Sequence, residues 1–292
     1  MSEKNYVIIT DSSADLPDAL VKQLDIEVLP LTFTIGAENY LNYPDEREMR
    51  AADFYATMRD GAVVKTAAVN VDNFLEIMRP HLEAGRDVLY LGFSSGLSAT
   101  YNSGRLAAEE LQSEFPERKI LTVDTLCASL GQGLLVYLTA QKRNNGASIE
   151  EAAAFAEESK LHICHWFTVD DLFFLKRGGR VSATTAIIGS ALGIKPVLHV
   201  DNEGHLINVA KARGRKNAIA AIAEHMRKEA IDPANQTIFI SHGDCLDDAE
   251  LLAKMLRDTC GFRDVIINYV GPVIGAHSGP GTLALFYYGT VR

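Results

Sequence analysis

Three serines and a threonine fall within seven residues at Ser94-Ser95-Gly96-Leu97-Ser98-Ala99-Thr100. Hydroxyls are neutral hydrogen-bond donors, and a helix starting just behind them would add unpaired N–H groups and positive partial charge. That combination suits an oxygen-rich, anionic headgroup, although Ser98 alone would serve equally well as a helix cap. The same residues fit a second chemistry. Gly92-Phe93-Ser94-Ser95-Gly96 matches the G-x-S-x-G nucleophile elbow of serine hydrolases, with His277 downstream and Asp244 or Asp264 available as the acid. Two features weigh against a serine esterase. In an elbow the helix starts directly after the nucleophile, whereas Gly96-Leu97-Ser98 intervenes here, and no oxyanion loop of the His-Gly-Gly-Gly type lies upstream. Anion binding is therefore the preferred reading, and hydrolysis through Ser94 and His277 the alternative.

The segment Gly271-Pro272-Val273-Ile274-Gly275-Ala276-His277-Ser278-Gly279-Pro280-Gly281 holds four glycines and two prolines. It reads as a turn-rich loop whose backbone approaches something closely, with His277 in its middle able to donate to a carboxylate. Two basic islands stand out in an acidic chain, Lys176-Arg177-Gly178-Gly179-Arg180 and Lys211-Ala212-Arg213-Gly214-Arg215-Lys216. Charge runs of this kind are usually solvated, but arginine also suits bidentate contact with phosphate. His162-Ile163-Cys164-His165 superficially resembles a metal site. Strand alternation would turn His165 away from the other two, no second ligand pair follows, and no metal is expected. Gly131-Gln132-Gly133 lacks the third glycine of a dinucleotide fingerprint and reads as helix packing.

These residues need elements to hold them. Apolar, β-prone runs at 6–10, 26–35, 88–93 and 119–124 predict strands, with Pro30 arguing against a regular central position for the whole of the second. Apolar spacing predicts helices from Pro17, over 52–59, from about residue 70, over 100–115 and over 126–143, the last stopped by Asn144-Asn145-Gly146. Ser148 and Glu151 form a candidate capping box for the next helix. Residues 39–48 read as a polar surface excursion, and Thr66 falls in the connection before the helix near residue 70. Such alternation predicts a parallel sheet covered by helices, with ligands beyond the carboxyl ends of its strands. Past residue 160 the rhythm changes. A strand at 165–169 and a short helix from Asp170 to Gly178-Gly179 precede a hairpin of 194–200 and 205–212, turning at Asp201-Asn202-Glu203-Gly204. Helices after Arg215 and over 247–260, and strands at 237–241, 265–270 and 282–288, complete the pattern. The predicted fold is α/β in two domains. Residues 1–160 form the first, on a mainly parallel sheet flanked by helices, and residues 161–292 the second, on a mixed sheet.

With 292 residues, 47% hydrophobic and 23% charged, the chain has ordinary globular composition. A net charge of −10 argues against a nucleic-acid partner. No run approaches the roughly 18 apolar residues of a membrane span, and no signal segment precedes Tyr6, so a cytoplasmic location is expected. Cys127, Cys164, Cys245 and Cys260 lack paired spacing, which argues against a disulfide framework.

Taken in order, Thr10-Asp11-Ser12-Ser13-Ala14-Asp15-Leu16, Lys65-Thr66, the run from Ser94 to Ser103, Gly178-Gly179-Arg180-Val181-Ser182, Lys195-Pro196 and the Gly271 to Gly281 segment form a specific set. Through them the chain resembles the DegV family of bacterial fatty-acid-binding proteins along nearly its full length. The resemblance implies two α/β domains of DegV type with a long-chain fatty acid buried between and within them, no catalysis by the chain itself, and no cofactor beyond that ligand. It implies a partner, a fatty-acid kinase related to dihydroxyacetone kinases, which turns the presented acid into an acyl phosphate for phospholipid synthesis. It also leaves room for transient contact with a membrane surface. By motif, Thr66 and Ser98 would bind the carboxylate through their hydroxyls, His277 would complete that network, and Arg180 and Arg213 would lie on the face that meets the kinase or its phosphate. Ser94 and Ser95 are counted with the ligand hydroxyls. Burying an unpaired arginine is prohibitive, so neither Arg180 nor Arg213 is expected in a tunnel wall. The chain departs from the family after Thr66, where Ala67-Ala68-Val69 replaces the usual Ser-Gln-Pro, and at Ala99, where Gly is usual.

Overall fold

The structure, a computed structural model, describes residues 5–181, 193–290 and 292; Ser182, which ends the 178–182 motif, lies outside the described residues. Apolar runs buried on both faces build the first sheet. Its strands are β1 (Tyr6–Asp11), β2 (Ile26–Leu29), β6 (Asp87–Gly92) and β7 (Ile120–Asp124), all parallel, in the order β2-β1-β6-β7. Val88, Leu89, Tyr90 and Leu91 have no exposed surface, as a parallel sheet covered on both sides requires. On one face Val7, Ile9, Val88 and Tyr90 pack with Phe74 and Met78 of α3 (Val71–Glu83) and Ala107 and Leu111 of α4 (Thr100–Glu114). On the other, Ile8, Leu89 and Leu91 pack with α5 (Leu130–Asn144) and α6 (Ile149–Ser159). The Ser148/Glu151 capping box starts α6, as its sequence predicts. The chain passes from β1 to β2 on one side and returns as β6 on the other, so the topological switch point lies between the ends of β1 and β6.

The single strand predicted over 26–35 is in fact two. Pro30 offers no N–H to a ladder, and there the chain leaves the parallel sheet. It enters a three-stranded antiparallel sheet of β3 (Thr32–Ile35), β4 (Glu38–Leu41) and β5 (Val64–Ala67), in the order β4-β3-β5. Part of the expected excursion is therefore strand, and Thr66 lies on β5 opposite Phe33 rather than in a connection. The helix predicted over 126–143 starts only at Leu130, because Leu126 and Ser129 take left-handed φ angles of 52° and 53°.

The second sheet orders β10 (Leu206–Arg213), β9 (Ile194–Val200), β8 (Ile163–Thr168), β13 (Leu283–Tyr288), β11 (Thr237–His242) and β12 (Asp264–Tyr269), with only the β11–β12 pair parallel. The mixed sheet and its hairpin match the sequence reading. Trp166, Ile240 and Leu285 on one face pack with Ile222 and Met226 of α8 (Arg215–Glu229) and Leu252 and Leu256 of α9 (Leu246–Thr259). Phe167, Phe239, Ala284 and Phe286 on the other join α5 in the same core as the first sheet. Helix α5 is thus shared by both sheets. Gly131 permits this, since a Cβ there would overlap the His165 ring. The segment from Gly271 to Gly281, expected as a loop, contains the short helix α10 (Pro272–Ser278), with Pro272 at its first position. Among the described residues no helix is long and apolar enough to cross a membrane.

Candidate functional site

A cavity of about 290 Å³ opens between the sheets. Phe93 and Leu97 wall it from the first sheet, Phe167 and Phe286 from the second, and Val273 and Ile274 from α10. Strand β5 and the last turn of α10 bring Thr66 and His277 together at this wall, with Thr66 Oγ1 2.8 Å from His277 Nε2. A turn carries Ser98 to the same wall, its N–H donating to Ser94 O at 3.1 Å. Ser98 Oγ accepts from the N–H of Thr100, the first residue of α4, at 3.2 Å and lies 2.9 Å from Thr100 Oγ1. Capping and cavity lining therefore coexist at Ser98.

Burial, then the positive charges of Arg180 and Arg177, push His277 down to about 4, so its ring is neutral near pH 7. A neutral imidazole carries one N–H. With the proton on Nε2, His277 donates to Thr66 and leaves the Thr66 hydroxyl hydrogen free for an anion. With the proton on Nδ1, Thr66 donates to His277 and turns only lone pairs toward a ligand. A bound carboxylate selects the first arrangement.

Arg180 departs from expectation: it lines the cavity. Its Nε and Nη2 donate to Leu97 O at 3.2 and 3.0 Å, and its Nη1 donates to Gly178 O. Those carbonyls replace lost water, which is how a guanidinium tolerates the wall. Burial still lowers its pKa, and among the described residues no carboxylate pairs with it. Arg213 is exposed at the end of β10 and does not line the cavity.

Ser94 and Ser95 are not part of the lining, contrary to the sequence reading. Ser94 Oγ is buried and donates to Gly204 O at 2.9 Å, which staples the hairpin turn to the hydroxyl loop. Ser95 is exposed, its N–H held by Asp124 Oδ1 at 3.2 Å. The hydrolase triad is not assembled either. Ser94 is bound to a carbonyl, His277 to Thr66, Asp244 pairs with Arg59, and Asp264 is exposed.

Sequence reasoning missed two further sets of residues. Asp11, at the switch point, accepts from Phe93 N–H at 3.0 Å, Tyr90 O–H at 3.1 Å, Ser13 N–H at 3.2 Å and the Ser13 hydroxyl. Burial raises its pKa and these donors oppose the rise; the effect is to anchor the start of the hydroxyl loop. Its sequence signal is its place in the Thr10–Leu16 run at the end of a strand, which carries the resemblance but assigns Asp11 no role. In the second set Ser129, Ser241 and His165 line the cavity elsewhere, and Asp15 lies behind Ser129. Ser129 Oγ lies 2.6 Å from Asp15 Oδ2 and 3.0 Å from Ser241 Oγ, and burial pushes Asp15 up to about 8. His165 donates from Nδ1 to Ile163 O at 2.8 Å, which leaves Nε2 as an acceptor approached by Ala128 N–H at 3.4 Å. Burial holds that ring well below the usual histidine range. Among the described residues no three His, Cys, Asp or Glu side chains form a metal set; His162 instead stacks on Tyr288, ring centres 5.3 Å apart.

Comparisons with known proteins agree with one another. The family model for uncharacterised proteins of the DegV family matches residues 5–290. A DegV domain-containing protein of Clostridium perfringens is 47% identical over 289 residues, covering 99% of each chain. A DegV family protein from Thermus thermophilus, described for its fatty-acid binding, superimposes with a TM-score of 0.88 at 30% identity, over 98% of this chain and 99% of that one. A DegV lipid-binding protein from Thermotoga maritima gives 0.86 at 31% identity, over 99% of both. DegV of Bacillus subtilis, a fatty-acid-binding protein, gives 0.83 at 28% identity, over 98% of this chain and 99% of its own.

Proposed function

The chain belongs to the DegV family, and on that premise we propose that it binds one long-chain fatty acid, with the acyl chain in the cavity and the carboxylate at Thr66, Ser98 and His277. The observation that carries this reading is the Thr66–His277 pair, 2.8 Å apart, on the wall of a mostly apolar cavity. Each buried CH₂ contributes about 0.8 kcal/mol. The head would otherwise cost several kcal/mol to desolvate. The hydroxyls of Thr66 and Ser98 offset that cost, the first aimed by the His277 N–H that donates to Thr66 Oγ1, and the half-buried charge of Arg180 adds an attraction that no carboxylate among the described residues uses up.

The finer part of the proposal is that the chain catalyses nothing itself and presents its acid to a fatty-acid kinase related to dihydroxyacetone kinases, which makes the acyl phosphate. Neutral hydroxyl donors can follow the head as carboxylate becomes acyl phosphate, where a fixed salt bridge could not. Arg180, beside the head, faces the incoming phosphoryl group, and the exposed Arg213 belongs to the docking face. Residues 1–160 and 161–292 are the two halves that enclose the ligand.

Mass spectrometry of lipid extracted from the purified protein tests the first part. The expected result is one long-chain fatty acid per chain; no fatty acid in the extract, with no uptake of palmitate or oleate, defeats it. Arg213→Ala, assayed with the cognate kinase, tests the second: lipid content stays normal and phosphorylation slows. Normal phosphorylation of that variant removes Arg213 from the docking face.

A further inference from the structure

Helix α10 runs along the cavity from Gly271, which lies against Asp15, to Ser278. Val273, Ile274, His277 and Ser278 line the cavity from it, at the spacing that puts residues four apart on one face. Ser278 follows His277 by one residue, about 1.5 Å along the axis. It therefore stands at the end of the helix where His277 meets Thr66.

Six hydroxyl side chains line this cavity. Five have partners: Thr66 with His277, Ser98 with Thr100, Ser129 and Ser241 with each other, and Thr282 with the carbonyl of Gly279 at 2.8 Å. Ser278 is the sixth. It is 4% exposed, and its Oγ has no hydrogen-bond partner among the described residues. Other helical hydroxyls in the chain donate to the carbonyl four residues back, as Thr57, Thr139 and Thr259 do at 2.9, 2.8 and 2.7 Å. Ser278 makes no such bond to Ile274. A buried donor without an acceptor is costly, so a wall residue of this kind calls for an acceptor on the ligand.

The head has room for one more donor. A carboxylate offers about four lone-pair sites on its two oxygens. Thr66 and Ser98 supply one hydrogen each, and the His277 N–H already serves Thr66. Arg180 turns Nε, Nη1 and Nη2 to the carbonyls of Leu97 and Gly178. No bond holds the Ser278 side chain in its rotamer, so a turn about χ1 brings its hydroxyl to a ligand without breaking a contact of its own.

We propose that Ser278 is a further binding residue for the head, its hydroxyl donating to the carboxylate beside those of Thr66 and Ser98. This rests on the fatty-acid reading of the cavity and extends the head site to the last residue of α10.

The test titrates delipidated wild type, Ser278→Ala and Ser278→Cys with palmitate and with methyl palmitate, and follows the bound head by carbon-13 NMR of palmitate labelled at its carboxyl. Ser278→Cys keeps the volume and offers only a weak donor. It separates the hydrogen bond from packing and keeps the test usable if Ser278→Ala folds poorly. Both variants should bind palmitate about tenfold more weakly than wild type, because a bond to a charged acceptor is lost. Both should lose less on the ester, whose head is neutral, and the carboxyl resonance should move in both. Empty Ser278→Ala should unfold at no lower a temperature than wild type, since the hydroxyl it removes is unpaired there. Wild-type affinity for palmitate in either variant, or an equal loss for acid and ester with the resonance unmoved, overturns the inference and leaves the fatty-acid reading intact. Failure of palmitate to bind the wild type overturns both.

Discussion

The two ends of the cavity bury polar groups in different ways. Beside the last turn of α10, Arg180 keeps its full charge against backbone carbonyls, while His277 gives its charge up to burial and to the arginines around it. Beside the first turn, Asp15 keeps its proton and the polar groups there carry no net charge. One end is therefore positive and short of an anion, and the other is neutral and would be negative if it ionised. On the function proposed above, that asymmetry would orient an amphipathic acid with its head toward Thr66. The lesson is that burial can prepare a site as well as penalise it, depending on whether neighbouring charge reinforces or opposes the shift.

The largest effects should come from the charged end. Thr66→Val and Ser98→Ala each remove a hydroxyl from a carboxylate, and hydrogen bonds to charged groups are worth roughly 1.5–3 kcal/mol. Calorimetry with palmitate should show each variant binding at least tenfold more weakly, with the unfolding midpoint unchanged in Thr66→Val and lowered in Ser98→Ala, which also loses the bond to the Thr100 N–H. Wild-type affinity in both variants would place the carboxylate elsewhere. Next come two glycines, one at each end. A Cβ on Gly131 would overlap His165 Nε2, and one on Gly178 would overlap His277 Nδ1. Gly131 lies in the helix shared by both sheets, so Gly131→Ala should lower stability by about 1–3 kcal/mol in urea unfolding. Gly178 is only half-buried; Gly178→Ala should displace His277 and weaken fatty-acid binding with a smaller loss of stability. The opposite ranking would break the contrast between the ends.

The charged end was readable in the sequence because its residues travel together. Ser98 belongs to a hydroxyl cluster, and His277 to a glycine-rich segment. The neutral end was not. Asp15, Ser129 and Ser241 come from the loop after β1, the start of α5 and the end of β11; Asp15 lies in the Thr10–Leu16 run but nothing in the sequence links it to the two serines, which are unremarkable among their neighbours. Sheet composition made a similar difference. β1 and β6 are continuous apolar runs and read as parallel strands, whereas Glu38–Leu41 is half polar and forms β4 only because Pro30 redirects the chain. Thr66 was recognised as a ligand candidate but placed in a connection, since its pairing with Phe33 depends on that redirection. Desolvation alone would keep Arg180 out of the wall; the carbonyls of Leu97 and Gly178, which sequence does not place beside it, let it in.

A smaller effect tests the neutral end without any ligand. The pKa of Asp15 is raised from 3.8 to about 8 by folding. Its contribution to stability is therefore fully present below pH 3.8 and is lost as pH rises through 8. Asp15→Asn cannot ionise and its amide still donates to Ser129. The unfolding midpoint of the variant, relative to wild type, should rise from pH 5 to about pH 8 and level off above it. A constant difference would mean that Asp15 is already ionised in the folded chain.

The smallest expected effect concerns His277 and separates its two roles, as a dipole and as a charge. Folding lowers its pKa from 6.5 to about 4. In the empty protein this contributes stability that is present above pH 6.5 and is lost as pH falls through 4. A carboxylate against the ring opposes burial and raises that pKa, so the complex takes up a proton between the two values. Affinity for a fatty acid should then rise as pH drops from 7 to 5.5. The acid's own titration adds a pH dependence of its own, which His277→Asn shares because its amide can still donate to Thr66 without charging. The ratio of wild-type to variant affinity isolates the imidazole. It should be flat above pH 7 and grow by a few-fold toward pH 5.5, and for the methyl ester it should stay flat throughout. A flat ratio for the acid would mean that His277 serves only as a neutral donor, and that the positive potential at this end comes from Arg180 and Arg177.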